Sequence, residues 1–382
     1  MLQKHIYIIT SNKWQSRTFN YLLKGQLLDQ YKLKIISLRS QSSDIKIWSN
    51  INSEKVEIID LSNLYNFSKL SLISSLRSFF SVRKEILKQV HNTKVQSIVI
   101  TYDSFYRIYE LILLSRLTNV SAFIKMQHGL RSPISNFRDI FLTPLSNFIR
   151  YFVFFILGSL LNGNVQNIFK RPLFYDVNFA GRSTKKNNFF SGNIQVAATI
   201  EELSECSPIS LSSNVLFLSS GAFRTNFETM QLQTRESLKQ SLAYCLKNKK
   251  KLFVKFKDDE KYNDIKELLE HPQITVLEND IDLVEAIKLV LPGLVICHSS
   301  STTVAELILS GFKVVTYDAV YEGFSEEYLD FYKNLKLFDL SNLETKVDLV
   351  AIDPKTLEAL KTKLDLNSID NKVLNKVLIN LE

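Results

Sequence analysis

Leu294–Ser310 reads LVICHSSSTTVAELILS: an apolar run to Cys297, then His298, five hydroxyl residues from Ser299 to Thr303, and a closing run of helical spacing from Val304. A short apolar run bounded by turn-forming residues predicts a buried strand, and apolar positions three and four apart beyond it predict a helix. The hydroxyls therefore fall where a strand gives way to a helix. At that place backbone N–H groups lack helical partners and the helix dipole favours negative charge, which suits a monophosphate or diphosphate. Capping alone needs one hydroxyl, Ser301 or Thr302, with Glu306 as a solvated first-turn acid. The others exceed that need, so His298, Ser299, Ser300, Ser301, Thr302 and Thr303 are candidate anion-binding residues.

The same alternation runs outward in both directions. In the second half the sequence predicts strands at 214–218, 251–255, 274–277, 294–297 and 313–317, with helices at 229–247, 264–270, 282–291 and 303–310. The first half repeats the plan, with strands at 5–10, 34–38, 56–60, 96–101 and 122–126 and helices at 16–30, 82–90 and 105–117. Strand and helix in alternation imply parallel sheets with crossover helices, hence two Rossmann-like halves. Residues 181–213 are polar and irregular and read as the connection between a first domain, 1–180, and a second, 214–340. A helical tail, 341–382, follows.

Composition fits this plan. The chain has 382 residues, 45% hydrophobic and 23% charged, which is ordinary for a folded protein and long enough for two domains. Cys206, Cys245 and Cys297 are few and far apart, so neither a disulfide framework nor a zinc site is implied and a reducing cytoplasm is expected. The opening MLQKHIYIITSNKW reads as a first strand, not a signal peptide. A net charge of +8 favours anionic partners: phosphates, acidic lipid headgroups or nucleic acid. Nucleic acid is set aside, because no aromatic RNA-binding signature, zinc pattern or helix-turn-helix is present.

A second candidate motif is Gln127-His128-Gly129, directly after the strand at 122–126. Residues at the carboxyl end of a parallel strand lie on the edge where open α/β sheets bind ligands, and a histidine there can exchange a proton near neutral pH. Its structural alternative is a turn glycine beside a hydrogen-bonding histidine. Asp103, just past the strand at 96–101, is in an equivalent place, although an Asp there also commonly caps a helix. No D-x-D pattern stands at a strand end, and Asp258-Asp259 lies in a solvated charge run, so no metal site is expected.

Taken together, Met126-Gln127-His128-Gly129 and Cys297-His298-Ser299-Ser300-Ser301-Thr302-Thr303-Val304-Ala305-Glu306 resemble bacterial capsule and lipopolysaccharide glycosyltransferases of GT-B fold. The resemblance is to the polysialyltransferase-like and Kdo-transferase-like enzymes that use CMP-sugars, and more distantly to CDP-glycerol glycerophosphotransferases. It implies two Rossmann-like domains with parallel sheets facing across a cleft. By the resemblance, Ser300, Ser301 and Thr302 hold the donor phosphate and Glu306 the donor ribose. It also implies inverting, metal-independent transfer to a surface polysaccharide or lipid-linked acceptor, with the nucleotide-sugar as substrate and no cofactor. His128 is then the first candidate for the general base and Asp103 the second, while Lys255 or Lys257 serves the leaving group.

The family pattern has one departure. Where such enzymes carry a His-Pro pair after the second strand of the donor domain, this chain has Lys255-Phe256-Lys257-Asp258-Asp259, so Lys257 takes the histidine's place as a point charge. His271-Pro272 precedes a strand and reads as a turn. A GT-B sugar-nucleotide epimerase and a polyol-phosphate transferase are the competing functions.

The last segment of note is 140–161, IFLTPLSNFIRYFVFFILGSLL, whose continuous apolar part is 151–157. Pro144, Ser146, Asn147 and Arg150 interrupt it, so a helix lying in the membrane interface is expected rather than a span, with a buried core helix as the alternative. Arg131, Arg138, Lys170 and Arg171 flank it and would draw it to anionic lipid. The expected location is cytoplasmic and peripheral, at the inner membrane.

Overall fold

A computed structural model describes residues 4–10, 13–23, 31–38, 47–48, 56–64, single positions between 77 and 85, 97–102, 120–126, 173–178, 188–190, 193–206, 212–224, 228–257, 260, 265–279, 281–299, 301–317, 338–340, 354–364 and 366–368. The chain divides into two compact units, Met1–Ile194 with Ser368–Glu382, and Gln195–Asn367.

In the first unit Ile6, Ile8, Leu33, Ile35, Ile98, Ile100, Ile124 and Met126 recur every second residue on four strands and are buried in one cluster. Period-2 apolar residues line one face of a sheet, and here the opposite face is apolar too, as in sheets covered on both sides. The strands are β1 (Lys4–Thr10), β2 (Tyr31–Ser37), β3 (Val56–Asp60), β4 (Ser97–Tyr102), β5 (Val120–Met126), β6 (Leu173–Asn178) and β7 (Asn188–Phe190). All neighbours pair in parallel, in the order β3-β2-β1-β4-β5-β6-β7. Helix α1 (Lys13–Leu23) buries Phe19, Leu22 and Leu23, the spacing of one helical face, in the same cluster.

The second unit holds six parallel strands: β8 (Asn214–Leu218), β9 (Lys251–Lys255), β10 (Ile274–Val276), β11 (Leu294–His298), β12 (Val314–Tyr317) and β13 (Phe338–Asp339), ordered β10-β9-β8-β11-β12-β13. Its helices are α2 (Ile194–Ser204), which begins at the boundary, α3 (Glu228–Lys247), α4 (Lys266–Leu269), α5 (Leu283–Val290), α6 (Thr302–Leu309) and α7 (Pro354–Lys363). Leu238, Leu242 and Cys245 of α3 pack with Val215, Phe217, Leu252 and Val254, and the rings of Phe217 and Tyr317 stack 5.1 Å apart.

In both sheets the chain starts at a central strand, fills one side, then returns to fill the other. This is the doubly wound order, and it opens a crevice at the carboxyl ends of the two strands where the direction reverses. In the second unit those strands are β8 and β11.

Several elements differ from the sequence reading. Within 181–213, read as an irregular connection, β7 and the whole of α2 are regular structure. The polar neighbours of α2 disguise a helix that buries Ile194, Val196 and Leu203 completely. Strands β6, β7 and β13 lack the apolar runs that mark the inner strands. His128, Asp103, Ser300, the helix read at 105–117 and the apolar segment 140–161 lie outside the described residues. Among the described residues no helix is long and apolar enough to cross a membrane.

Candidate functional site

Strand β11 is buried along its whole length and ends at His298, whose imidazole stands edge-on to Tyr317, 5.8 Å between centroids at 66°. The chain then turns into α6. Ser301 is the N-cap, extended at φ −91° and ψ 135°, and its Oγ accepts from the Thr303 N–H at 3.3 Å. The cap expected from the sequence is therefore Ser301, and Thr302 and Thr303 open the helix half-buried beside it.

Beside this turn is a pocket of about 210 Å³ within the second unit. Leu218 and Ser219 reach it from the end of β8, Lys255, Phe256 and Lys257 from β9, Ile281–Leu283 from the start of α5, and Cys297, His298, Ser301 and Thr303 from β11 and α6. It thus sits at the carboxyl edge of the sheet, at the reversal of strand order. Of the residues nominated from the sequence, Lys255, Lys257, His298, Ser301 and Thr303 meet in it. Ser299 and Thr302 belong to the same turn but do not line it. Glu306 does not line it either: it is 3% exposed, and its Oε1 accepts from Thr199 Oγ1 of α2 at 3.2 Å. It is not the solvated first-turn acid of the capping alternative.

The two lysines differ in setting. Lys255 is buried, and its ammonium donates to the Phe256 carbonyl and, at 3.2 Å, to that of Asn279. Lys257 reaches back over the turn after β8 and donates to the Ser220 carbonyl at 3.0 Å. The carboxylate lining the pocket, Asp282, turns Oδ1 to the Glu285 N–H at 3.0 Å, while Glu285 Oε2 accepts from the Asp282 N–H at 3.0 Å. That capping box fixes the start of α5. Burial pushes the Cys297 thiol, which lines the pocket, and the Tyr317 phenol, which packs behind His298, far up from their ordinary values, so both remain neutral.

Sequence reading missed what shapes the pocket. Glu260, 4% exposed, accepts from Ser219 Oγ at 2.7 Å and the Phe223 N–H at 3.2 Å through Oε1, and from the Lys257 N–H at 2.6 Å through Oε2. One carboxylate so ties the loop after β8 to the loop after β9. Ser220 Oγ meets Thr234 Oγ1 at 3.0 Å and accepts from the Ala222 N–H at 3.2 Å, holding the other side of the turn. A signal was present: Ser219-Ser220-Gly221-Ala222 is a small-residue turn at a strand end, in a chain with only 10 glycines.

Gly221 has φ +87°, and a Cβ there would lie 3.0 Å from Lys257 Cδ. Both the backbone angle and the close approach call for glycine. Gly221→Ala is expected to cost about 1–2 kcal/mol, as for an L-residue forced into the left-handed region, and to displace Lys257. Chemical denaturation checks the first effect and nucleotide-binding calorimetry the second.

Among the described residues no three His, Cys, Asp or Glu side chains converge as metal ligands. His271-Pro272 is a turn, as read from the sequence, with the Gln273 N–H donating to His271 Nδ1 at 3.1 Å and the Ile274 N–H to the His271 carbonyl at 2.9 Å.

No family model and no curated protein matches the chain. Among solved structures, the glycotransferase of kitacinnamycin is 11% identical over 100% of both chains, with a TM-score of 0.53. The spinosyn forosaminyltransferase SpnP is 9% identical over 100% of both chains, with a TM-score of 0.49. Phytolacca americana UGT2, complexed with UDP-2-fluoro-glucose and pterostilbene, is 10% identical over 99% of both chains, with a TM-score of 0.47. At such identity the likeness to the first is one of fold, and the fold is GT-B.

Proposed function

We propose that this protein is a glycosyltransferase that binds the phosphate end of a nucleotide-sugar in the pocket of the second unit and passes the sugar to a surface polysaccharide or lipid-linked acceptor. The observation that carries the reading is the convergence of Lys255, Lys257, His298 and the first turn of α6 at the strand-order reversal. As the glycosidic bond to the nucleotide breaks, negative charge collects on the departing phosphate. Ammonium groups and helix-terminal amides fixed in advance stabilise that charge without reorganising. A volume of about 210 Å³ is below the roughly 300–1,000 Å³ of a pocket that encloses a whole small molecule, so it takes part of the donor and not all of it. The solved glycotransferase of the same fold agrees with a sugar-transfer chemistry.

The finer reading follows the family resemblance. The donor is CMP-activated, the transfer inverting and independent of metal, and His128 takes the acceptor hydroxyl's proton with Asp103 as the second choice. Ser300 and Thr302 add hydroxyls to the phosphate site, and Glu306 reaches the ribose by exchanging its bond to Thr199. The segment 140–161 brings the enzyme to the inner membrane, where a lipid-linked acceptor is presented.

The test is a thermal-stability screen of the intact protein with CMP, CDP, UDP, GDP and their sugars. A nucleotide at one hundred times its Kd stabilises the native state by about 2.7 kcal/mol. Cytidine nucleotides are expected to raise the melting temperature; a response to uridine nucleotides alone would reassign the donor, and no response to any would sink the reading.

A further inference from the structure

Lys249 and Leu291 are the non-glycine residues with positive φ among the described residues, at 53° and 45°. Glycine, which has no Cβ to clash, is the usual occupant of this left-handed place after a helix. Each follows a helix, α3 or α5, and each comes just before a strand, β9 or β11, so both lie on the amino edge of the second sheet. In both places the left-handed turn closes the helix, the Leu291 N–H donating to the Ile287 carbonyl at 2.8 Å and the Lys250 N–H to the Cys245 carbonyl at 2.8 Å, and it leaves an exposed lysine and a leucine 42% exposed at the surface.

The rest of that edge agrees. Lys247, Lys251 and Lys313 are exposed and Lys250 half-buried, and among the described residues none of these, nor Lys249, meets a carboxylate. Two acids that end helices ahead of strands of this sheet, Glu205 and Glu270, pair with Lys288 at 3.3 Å and Lys266 at 3.8 Å. Leu246, in the last turn of α3, and Leu289 and Leu291, at the end of α5, are 49%, 63% and 42% exposed at the same end of the sheet. From Lys251 at the start of β9 to Lys313 before β12 is three strand spacings, about 14 Å.

We infer that this amino edge is a docking surface for an anionic lipid bilayer. Charge complementarity selects the occupant: uncompensated ammoniums on flexible stems meet phosphate headgroups, and isolated leucines enter the headgroup boundary beside them. An acidic protein partner would be matched by a groove or a row of complementary contacts, whereas this is an edge studded with separate leucines. The enzyme's need for a bilayer rests on the proposed acceptor; the surface itself rests only on these residues.

The test uses the intact protein with vesicles of phosphatidylcholine, alone or mixed with phosphatidylglycerol. Wild type is expected to sediment with the mixed vesicles, in a salt-sensitive way. Lys249→Glu, Lys251→Glu and Lys313→Glu together are expected to lower that partition about 100-fold. Lys249→Gly with Leu291→Gly is expected to weaken it while leaving the melting temperature unchanged or higher, which no purely structural role would produce. Equal vesicle binding by wild type and variants would overturn the assignment, as would a lower melting temperature for the glycine pair. Capture of an acidic protein without any vesicle binding would overturn it too. Nucleotide stabilisation is measured in parallel: vesicle binding that persists while no nucleotide stabilises the wild type would sink the glycosyltransferase reading and leave the docking surface standing.

Discussion

Replacing Glu260 by Ala is expected to loosen the pocket proposed for the nucleotide and destabilise the second unit together. Its carboxylate satisfies the Ser219 hydroxyl and the backbone N–H groups of Phe223 and Lys257 while almost wholly out of water. Each buried donor left without an acceptor costs about 1–3 kcal/mol, so three cost roughly 3 kcal/mol or more. At about 2–4 °C per kcal/mol for a unit of this size, the melting temperature should fall by about 10 °C. The variant's nucleotide affinity should fall further than stability alone explains, because Ser219 and Lys257 line the pocket. Glu260→Gln is the control: its amide keeps one acceptor oxygen but turns a donor toward one of the three donors, so an intermediate loss is expected. A melting temperature within a degree of wild type for the Ala variant would show that water replaces the carboxylate, and the clamp would not be a clamp.

His128→Ala is expected to reduce turnover by about 10²–10⁴ while leaving donor affinity nearly unchanged, which is the signature of a lost general base. The comparison is between steady-state transfer and nucleotide-binding calorimetry on one preparation. Lost affinity with little further loss of rate would make His128 a phosphate ligand, and normal turnover would pass the base role to Asp103. The contrast with Lys257→Ala is informative, because a point charge on the departing phosphate should affect binding and rate together.

The two parallel sheets were legible because their inner strands are apolar runs such as HIYIIT and NVLFL, separated by amphipathic stretches. The order of the strands was not, since periodicity reports which residues are buried and nothing about which strands are neighbours. The outer strands β6, β7 and β13 escaped for a related reason: their runs, LFYDVN, NFF and FD, are short or broken by polar residues. At the site, the hydroxyl turn and the two lysines could be found because strand end, turn and helix start are local events. Glu260 could not. It stands in KFKDDEKY, which reads as a solvated charge run, and only the fold carries its carboxylate beneath two loops. Glu306 likewise acquires its meaning from Thr199, 107 residues away in the chain.

The pairing of β8 with β11, Val215 beside Leu294, also says when the pocket comes into being. Its two walls are about 80 residues apart in sequence, and contacts of such separation form late because the loop-closure entropy must be met first. During synthesis the hydroxyl-rich turn before α6 therefore emerges long after its partner loop, and a chain arrested before β11 carries half of the pocket. Acquisition of nucleotide affinity in a refolding experiment should coincide with the last cooperative phase of the second unit, so that the ligand itself reports completion of the fold.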